Sequence, residues 1–459
     1  MSELSDKLLY TKESIYRTCD GDKKDKIFAY AKGYMQFLDA AKTEREAVKV
    51  GVAMAEARGY KPYVLGAPVK AGDCYYYNNR NKNLFVFRVG TAPIEEDGIR
   101  IIAAHIDSPR LDIKQCPVYE DSEMCFLKTH YYGGIKKYQW TALPLALHGV
   151  VVLKDGTQVE ISVGEDESDP IFYINDLLPH LSQEQYKKSL GEAIPGESLN
   201  VLIGAMPMEG EDGDAIKMNV LRILNEKYGM TEGDFLSAEI SAVPAGKARD
   251  VGFDRALICA YGHDDRVCSY PALTAIFDSQ DTTHTVISIL ADKEEVGSEG
   301  NTGMQSILLQ DIMDQISISL GANPRIVRNA SYCLSADVNA AYDPNFKGVY
   351  EKANSAILSC GAALSKYTGS RGKSGSNDAS AEFIGKLRRI FAEHGVVWQS
   401  AELGKVDQGG GGTVAKYIAG LNIETVDLGV PVISMHAPYE VISKADLYST
   451  YEAFLAFID

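Results

Sequence analysis

The chain has 459 residues, 45% hydrophobic and 24% charged, a composition typical of a water-soluble globular protein with room for two domains. Its net charge of −17 opposes nonspecific attraction to nucleic acid or to anionic membranes, so we expect neither as a partner. The first ten residues, MSELSDKLLY, lack the basic start and apolar core of a signal peptide. No apolar run approaches the roughly 20 residues that span a bilayer. We therefore expect a cytoplasmic protein.

The N-terminal region is predicted to be helical. An apolar stripe at helical spacing covers residues 28–38, and residues 43–46 (TERE) have the composition of a second helix start. Residues 84–90 and 99–104 then have the apolar composition of strands. The second of these predicted strands is followed directly by His105.

The pattern of apolar and polar residues changes after residue 111. Residues 112–251 contain short alternating strands, tight turns such as Lys154-Asp155-Gly156 and acidic loops. From residue 256 onward, buried-type strands alternate with helices. We therefore predict a discontinuous α/β domain from residues 1–111 and 252–459, with a mixed, largely parallel sheet covered by helices on both faces. Residues 112–251 are predicted to form an inserted β-rich domain.

Five apolar runs end in acidic or imidazole side chains. These side chains are His105 with Asp107, Asp264 with Asp265, Glu294 with Glu295, Asp337, and His436. In an open α/β sheet the ligand crevice lies outside the carboxyl ends of the strands, so these groups are expected to meet in one place. Mixed His and carboxylate ligation suits zinc or another borderline divalent ion. An Asp shared between two ions would build a two-metal site with its ions roughly 3.5 to 4 Å apart.

These residues indicate a class of divalent metal ion but not which metal is bound, since Zn, Co and Mn all accept such ligands. The eight cysteines contain no CxxC pair, which argues against a thiolate zinc site and a disulfide framework. A second feature is the loop KVDQGGGGT, residues 405–413, which precedes a predicted helix. Because the Walker A pattern is absent, we interpret this loop as facing a substrate rather than cradling a nucleotide.

Five ordered motifs carry a resemblance to a known family. AHIDSPRL, GHDDR, DKEEVGSEG, SADVNAAYDPNF and SMHAPYE occur in the order and spacing of the aspartyl aminopeptidase family, which includes vacuolar aminopeptidase I. The resemblance covers nearly the whole chain and is closest to bacterial members. It implies a zinc exopeptidase-like α/β domain, an inserted domain used for dimerisation, and tetrahedral dodecamers that act on peptides.

The resemblance also implies the role of each site residue. It places one metal ion on His105 and Asp337, a second on Glu295 and His436, and Asp264 between them as the bridge. Glu294 corresponds to the general base and Asp107 to a residue that supports the ligands. In this scheme a bridging hydroxide attacks the first peptide carbonyl, Glu294 transfers the proton, and a single N-terminal residue is removed.

Substrate choice is where the sequence departs from the family. Members selective for acidic residues carry a His three positions after the metal Asp, whereas this chain has Ala340, and their aromatic substrate contact is missing near Ser374. Lys366 matches the family's pocket lysine and is a candidate for binding a carboxylate. We therefore expect activity on neutral as well as acidic N-terminal residues. His180 resembles the insert-domain histidine that reaches a neighbouring subunit's active site.

Three alternatives stay open at this stage. A two-metal N-acyl amino acid deacylase would use the same ligands on a different scissile bond. A self-assembling scaffold with an inactive site is a second alternative, although the presence of Glu294 beside five plausible ligands argues against it. A phosphate-binding module built on the glycine loop is the weakest of the three.

Overall fold

The computed structural model describes residue 4 and residues 8–459. Within those residues, no helix combines the length and the apolar character needed to cross a membrane. The α-helices are α1 (Ile15–Thr18), α2 (Gly21–Ala40), α3 (Glu44–Ala57), α4 (Ile94–Asp97), α5 (Gln183–Tyr186), α6 (Leu190–Ala193), α7 (Ala215–Tyr228), α8 (His263–Asp278), α9 (Leu308–Ser319), α10 (Pro324–Ala330), α11 (Ala381–Glu393), α12 (Ala415–Ala419) and α13 (Lys444–Ile458).

The start of α3 shows how the sequence sets a helix boundary. The Thr43 hydroxyl accepts a hydrogen bond from the Glu46 N–H at 3.3 Å, and the Glu46 carboxylate accepts one from the Thr43 N–H at 3.0 Å. This capping box satisfies backbone donors that the first helical turn leaves free. The helix start predicted from the residues TERE is confirmed.

A mixed nine-stranded sheet forms the larger part of the fold. In spatial order its strands are β1 (Lys61–Pro62), β2 (Cys74–Asn79), β3 (Asn83–Arg88), β13 (Thr285–Ala291), β4 (Ile99–His105), β14 (Tyr332–Ser335), β18 (Glu424–Gly429), β16 (Ala362–Ser365) and β17 (Trp398–Ser400). The strands β13, β4, β14 and β18 in its centre run parallel.

Helices cover both faces of this sheet. Alternate side chains of β4 enter two different cores: Ile102 and Ala104 pack with α2, α3, α8, α11 and α13. Ile101 and Ala103 pack with α9 and α10 on the other face. Because neither face meets water, the central strands are apolar throughout instead of alternating. The prediction of a mixed α/β fold is confirmed.

A second, antiparallel sheet is built from six strands between residues 110 and 244. In spatial order these are β8 (Gln158–Val163), β7 (Leu145–Val152), β10 (Ala238–Pro244), β5 (Arg110–Asp121), β6 (Met124–Tyr132) and β9 (Val201–Gly204). This sheet has a hydrophobic core of its own, which includes Trp140, Ile216 of α7 and Phe235. The domain boundaries at residues 112 and 251 stay predictions.

A third sheet contains five short strands. Its order is β11 (Arg249–Val251), β12 (Leu257–Ala260), β20 (Glu440–Ser443), β19 (Pro431–Ile433) and β15 (Asn339–Ala340). Only three residues separate the end of β14 in the large sheet from Asn339 in this one. The chain therefore passes from one sheet into the other at Asp337.

Candidate active site

Three of the five predicted strand endings come from the nine-stranded sheet. His105 is the last residue of β4, and Asp337 follows β14 by two residues. Glu294 and Glu295 follow β13 in a short turn of 3-10 helix. Because β13, β4 and β14 are adjacent and parallel, their carboxyl ends lie at one edge of the sheet.

The other two endings come from the five-stranded sheet. Asp264 follows β12, and His436 follows β19. The five endings therefore come from two different sheets. An apolar strand that ends in a polar group has the same sequence pattern in either sheet, and only strand pairing, which depends on distant residues, separates them.

Asp264 lies between the two histidines. Its Oδ1 is 3.2 Å from His105 Nε2, and its Oδ2 is 3.1 Å from His436 Nε2. Glu295 Oε2 is 3.6 Å from the same His436 nitrogen. One carboxylate thus faces two imidazoles that come from different sheets.

The remaining two carboxylates approach the His105 side. Glu294 Oε2 and Asp337 Oδ1 each lie 3.9 Å from His105 Nε2. A cavity of about 470 Å³ opens onto this cluster and is lined by Asp264, Glu294, Glu295, Asp337 and His436. The structure therefore brings together all six side chains that the sequence analysis assigned to metal binding and proton transfer.

The donor set fits zinc. Asp264 Oδ1 and Glu295 Oε1 are buried without a hydrogen-bond partner, although an unpaired carboxylate in the protein interior is costly. His105, Asp264 and Glu295 offer ligand atoms within 4.8 Å of one another, and so do His105, Asp265 and Asp337. Imidazole nitrogens and carboxylate oxygens are ligands that zinc accepts. The orphaned oxygens are thus placed where a cation would satisfy them.

The pKa values reflect this crowding. Burial, opposed by His105 and reinforced by Asp107, raises the pKa of Glu294 to about 7. Burial likewise raises the pKa of Glu295 and of Asp337 well above the ordinary range, with neighbouring carboxylates adding to the increase. Carboxylates this close disfavour each other's ionisation, and a bound cation would reverse that effect.

Asp264 behaves differently from its neighbours. Burial alone would raise its pKa, but the nearby imidazoles of His105 and His436 outweigh burial and lower it. The same contact with Asp264 overcomes burial at His436 and raises the pKa of that imidazole to about 10. The surrounding protein therefore favours the ionised form of Asp264, in contrast to Glu294, Glu295 and Asp337.

The Asp107 carboxylate contacts both His105 and the turn that carries Glu294 and Glu295. His105 Nδ1 lies 3.2 Å from Asp107 Oδ1, as the spacing of the two residues predicted. The backbone N–H groups of Glu294 and Glu295 donate to the Asp107 carboxylate at 3.1 and 3.2 Å. One buried carboxylate thus orients an imidazole and the turn that carries two glutamates.

The six-stranded region also contacts this site, which the sequence analysis missed. Tyr132, at the end of β6, donates its hydroxyl to Asp107 Oδ2 at 2.7 Å. The Gly134 carbonyl oxygen lies 2.8 Å from His436 Nδ1. The glycine pair after Tyr132 was the available signal, because close backbone approach to a site favours glycine.

Glu440 and Asp265 are two further carboxylates near the ligands. The Glu440 side chain accepts hydrogen bonds from the backbone N–H of Asp264 at 3.0 Å and of His436 at 2.8 Å. It therefore ties two ligand-bearing loops together. Asp265 accepts the backbone N–H of His105 at 3.2 Å. Glu440 ends the motif SMHAPYE, so its position beside His436 was visible in the sequence.

The two predicted substrate contacts lie elsewhere. Lys366 Nζ is 2.6 Å from Asp378 Oδ1, and Lys373 binds the other oxygen of that carboxylate at 2.9 Å. His180 is exposed in a 3-10 helix, Pro179–Leu181. Neither Lys366 nor His180 lines the cavity at the cluster. The glycine loop does line it, through Gly410, Gly411 and Gly412.

Comparison with known proteins identifies the family. The family described as "Aminopeptidase I zinc metalloprotease (M18)" matches residues 37–458. A protein of Clostridium acetobutylicum named "Probable M18 family aminopeptidase 1" is 49% identical over 449 residues, which cover 96% of each chain.

Solved structures agree with this match. The crystal structure of an M18 aminopeptidase from Thermotoga maritima superposes with a TM-score of 0.93 at 43% identity, covering 98% of this chain and 100% of that one. The yeast mApe1 dodecamer structure has a TM-score of 0.75 at 20% identity, covering 93% of this chain and 95% of that one. At that identity the likeness concerns the fold alone. On the strength of the family match and these close relatives, the chain belongs to the M18 family of aminopeptidase I zinc metalloproteases and is a metalloaminopeptidase.

Proposed function

We propose that this aminopeptidase removes single N-terminal residues, neutral as well as acidic, at the cluster formed by His105, Asp264, Glu294, Glu295, Asp337 and His436. The observation that carries the proposal is the position of Asp264, whose two oxygens face two imidazoles at 3.2 and 3.1 Å. A carboxylate placed in this way suits a two-ion site better than a single ion.

Two zinc ions would be held by the ligands that the resemblance implied. His105 and Asp337 would bind one ion, Glu295 and His436 the other, and Asp264 both. When bound, zinc supplies Lewis acidity, which polarises a peptide carbonyl and makes water more acidic. The orphaned oxygens of Asp264 and Glu295 support this assignment, since each lacks a hydrogen-bond partner.

Glu294 would move the proton. Its carboxylate lies in the cavity beside the ligands, and its backbone N–H is fixed by Asp107. In this position it can accept a proton from an attacking water and return it to the leaving amine as the peptide bond breaks. The free α-amino group of the substrate, which is cationic, would be attracted by the surrounding carboxylates, and this limits cleavage to the first peptide bond.

The test is a comparison of two substrate classes with the purified, metal-loaded protein. Aminoacyl anilides with neutral and acidic residues should be hydrolysed, and N-acetyl amino acids should not. Turnover of the N-acetyl compounds in preference to the anilides would assign the site to the deacylase alternative. Metal analysis of the same preparation should give two ions per chain.

Self-association is the second part of the proposal. The segment around His180 exposes Leu177, Leu178, Leu181 and Leu190, each of them between 49% and 67% accessible. Exposed leucines in such a cluster favour contact with another protein surface. A second copy of the chain is the proposed partner, and the structural neighbour from yeast is itself a dodecamer. In such a dimer His180 would reach the partner's cavity.

Two inactive variants test this arrangement. In a mixed dimer of Glu294→Gln and His180→Ala chains, the site with intact Glu294 receives His180 from its partner. With random mixing about half the dimers are mixed, so roughly a quarter of all sites should recover, by symmetry arithmetic for an isologous pair. Full activity of His180→Ala alone, or verified hybrids with no gain, would remove His180 from the site.

A further inference from the structure

The cavity at the metal-binding cluster is also lined by the glycine loop and by the start of α12. Gly410, Gly411, Gly412 and Thr413 line the cavity, followed by Lys416 and Tyr417 of the helix. The Lys416 ammonium lies close to the loop, since a Cβ built on Gly412 would be 3.9 Å from its Nζ. Lys416 therefore shares one cavity with Glu294 and Asp337.

Tyr417 connects the start of α12 to the turn that carries Glu294 and Glu295. Its hydroxyl donates to the Gly297 carbonyl oxygen at 3.1 Å, and it accepts a hydrogen bond from Gln305 Nε2 at 3.1 Å. Gly297 ends the short 3-10 turn that carries Glu294 and Glu295. Tyr417, the residue after Lys416, is thus hydrogen-bonded to the turn that holds the predicted general base.

Within this cavity, Lys416 is a cation without an ion-pair partner. Of the side chains that line this cavity, it is the one Lys or Arg. Among the described residues, 4 and 8–459, it has no carboxylate within 4.0 Å, and its ammonium instead lies 4.7 Å from the Tyr417 ring centroid. Lys366 and Lys373, by contrast, share the carboxylate of Asp378.

We propose that Lys416 binds a carboxylate of the peptide substrate and thereby sets which peptides the enzyme prefers. This inference rests on the proposed function, because it needs a peptide in the cavity. A peptide offers such a carboxylate in two places: an acidic N-terminal side chain, or the C-terminus of a dipeptide. An ammonium without an ion-pair partner can bind either, whereas Lys366 would first have to leave Asp378.

Four substrates separate the two sources. Leu-Leu and Leu-Leu-amide differ in the C-terminal carboxylate, and Asp-anilide and Leu-anilide differ in the side chain. Lys416→Ala should raise KM about five-fold for the carboxylate-bearing member of one pair, the upper range for an exposed ion pair. Lys416→Arg should restore most of that preference, and Lys32→Ala on α2, an exposed lysine outside the cavity, serves as the control.

Each outcome decides the question. A loss confined to Leu-Leu supports the proposal with the C-terminus as the source, and a loss confined to Asp-anilide supports it with the side chain as the source. Equal effects on both members of each pair, or none, would overturn it. If the parent enzyme cleaves none of the four substrates, the proposed function itself fails, which is a different result.

Discussion

The nine-stranded and six-stranded regions leave opposite kinds of group unsatisfied. At the carboxyl edge of the large sheet, where the five-stranded sheet contributes Asp264, oxygens of Asp264 and Glu295 are buried without hydrogen-bond partners. In the six-stranded region, Leu177, Leu178 and Leu181 leave apolar side chains exposed to solvent. A buried carboxylate is costly unless a cation neutralises it, and exposed apolar side chains favour contact with another protein surface. The comparison supports the two proposals made above, that the first region binds metal and that the second contacts another copy of the chain.

The two regions also depend on each other. Tyr132 of the six-stranded sheet donates to Asp107 in the site, and His148 of β7 lies 2.8 Å from Glu46 of α3. Both contacts are polar and largely buried. Substitutions at Asp264, at Glu294, and at His148 and Tyr132 should therefore affect metal binding, proton transfer and these two connections, respectively.

The largest effect is expected from Asp264→Asn. An amide cannot replace the carboxylate that faces both imidazoles, so metal content should fall to well under half that of the parent and activity should fall with it. Metal analysis after gel filtration measures this, with circular dichroism as the check on the fold. Asp311→Asn, an exposed position on α9, is the matched control. A variant that binds metal like the parent would disprove the bridging assignment.

Glu294→Gln should keep its metal but lose proton transfer. The expected fall in kcat is about 10² to 10⁴-fold, the usual contribution of a positioned acid or base. Steady-state kinetics with a neutral aminoacyl anilide gives the value, and Glu299→Gln, exposed nearby in the chain, should behave as the parent. Near-normal turnover of the Glu294 variant would exclude it from the mechanism.

His148 should make stability depend on pH. Burial opposes its charge, but Glu165 and Glu46 outweigh burial and raise its pKa to about 9. The folded pKa exceeds the ordinary value of about 6.5, so this contribution is complete below that pH and is lost as pH rises through about 9. The full contribution is on the order of 3 to 4 kcal/mol for a shift of this size, since one pKa unit corresponds to about 1.4 kcal/mol.

The measurement is the thermal unfolding midpoint of the parent and of His148→Asn at pH 6 and pH 9.5. The parent should be the more stable protein at pH 6, and the difference should shrink at pH 9.5. His130→Asn, on the exposed side of β6, is the control and should show no such change. A difference that does not vary with pH would contradict the ion-pair origin of the effect.

The smallest effect is expected from Tyr132→Phe. Losing the hydroxyl leaves one Asp107 oxygen without its donor, and a change behind a metal ligand typically costs about ten-fold in metal affinity or activity. Chelator competition measures the affinity separately from turnover. Tyr131→Phe, exposed at the neighbouring position, is the control. An unchanged metal affinity would show that the six-stranded region does not support the site.

Much of the active site was predictable because its chemistry is local in sequence. A strand that is apolar throughout is recognisable, and a charged group at its end is costly unless something binds it. That reasoning selected the strand endings His105, Asp264, Glu294, Glu295, Asp337 and His436 from the sequence alone. The mixed α/β fold followed from the same alternation of strands and helices.

What only the tertiary structure decided are the relations between distant segments. Strand pairing placed Asp264 and His436 in a different sheet from His105, although all three endings have the same local pattern. The hydrogen bond from Tyr132 to Asp107 and the ion pair between Lys366 and Asp378 join residues that are not neighbours in the chain. No spacing rule identifies such partners from the sequence. A sequence determines which groups need a partner, because charge and apolarity belong to single residues. The fold determines which partner each group obtains, because that depends on packing across the whole chain.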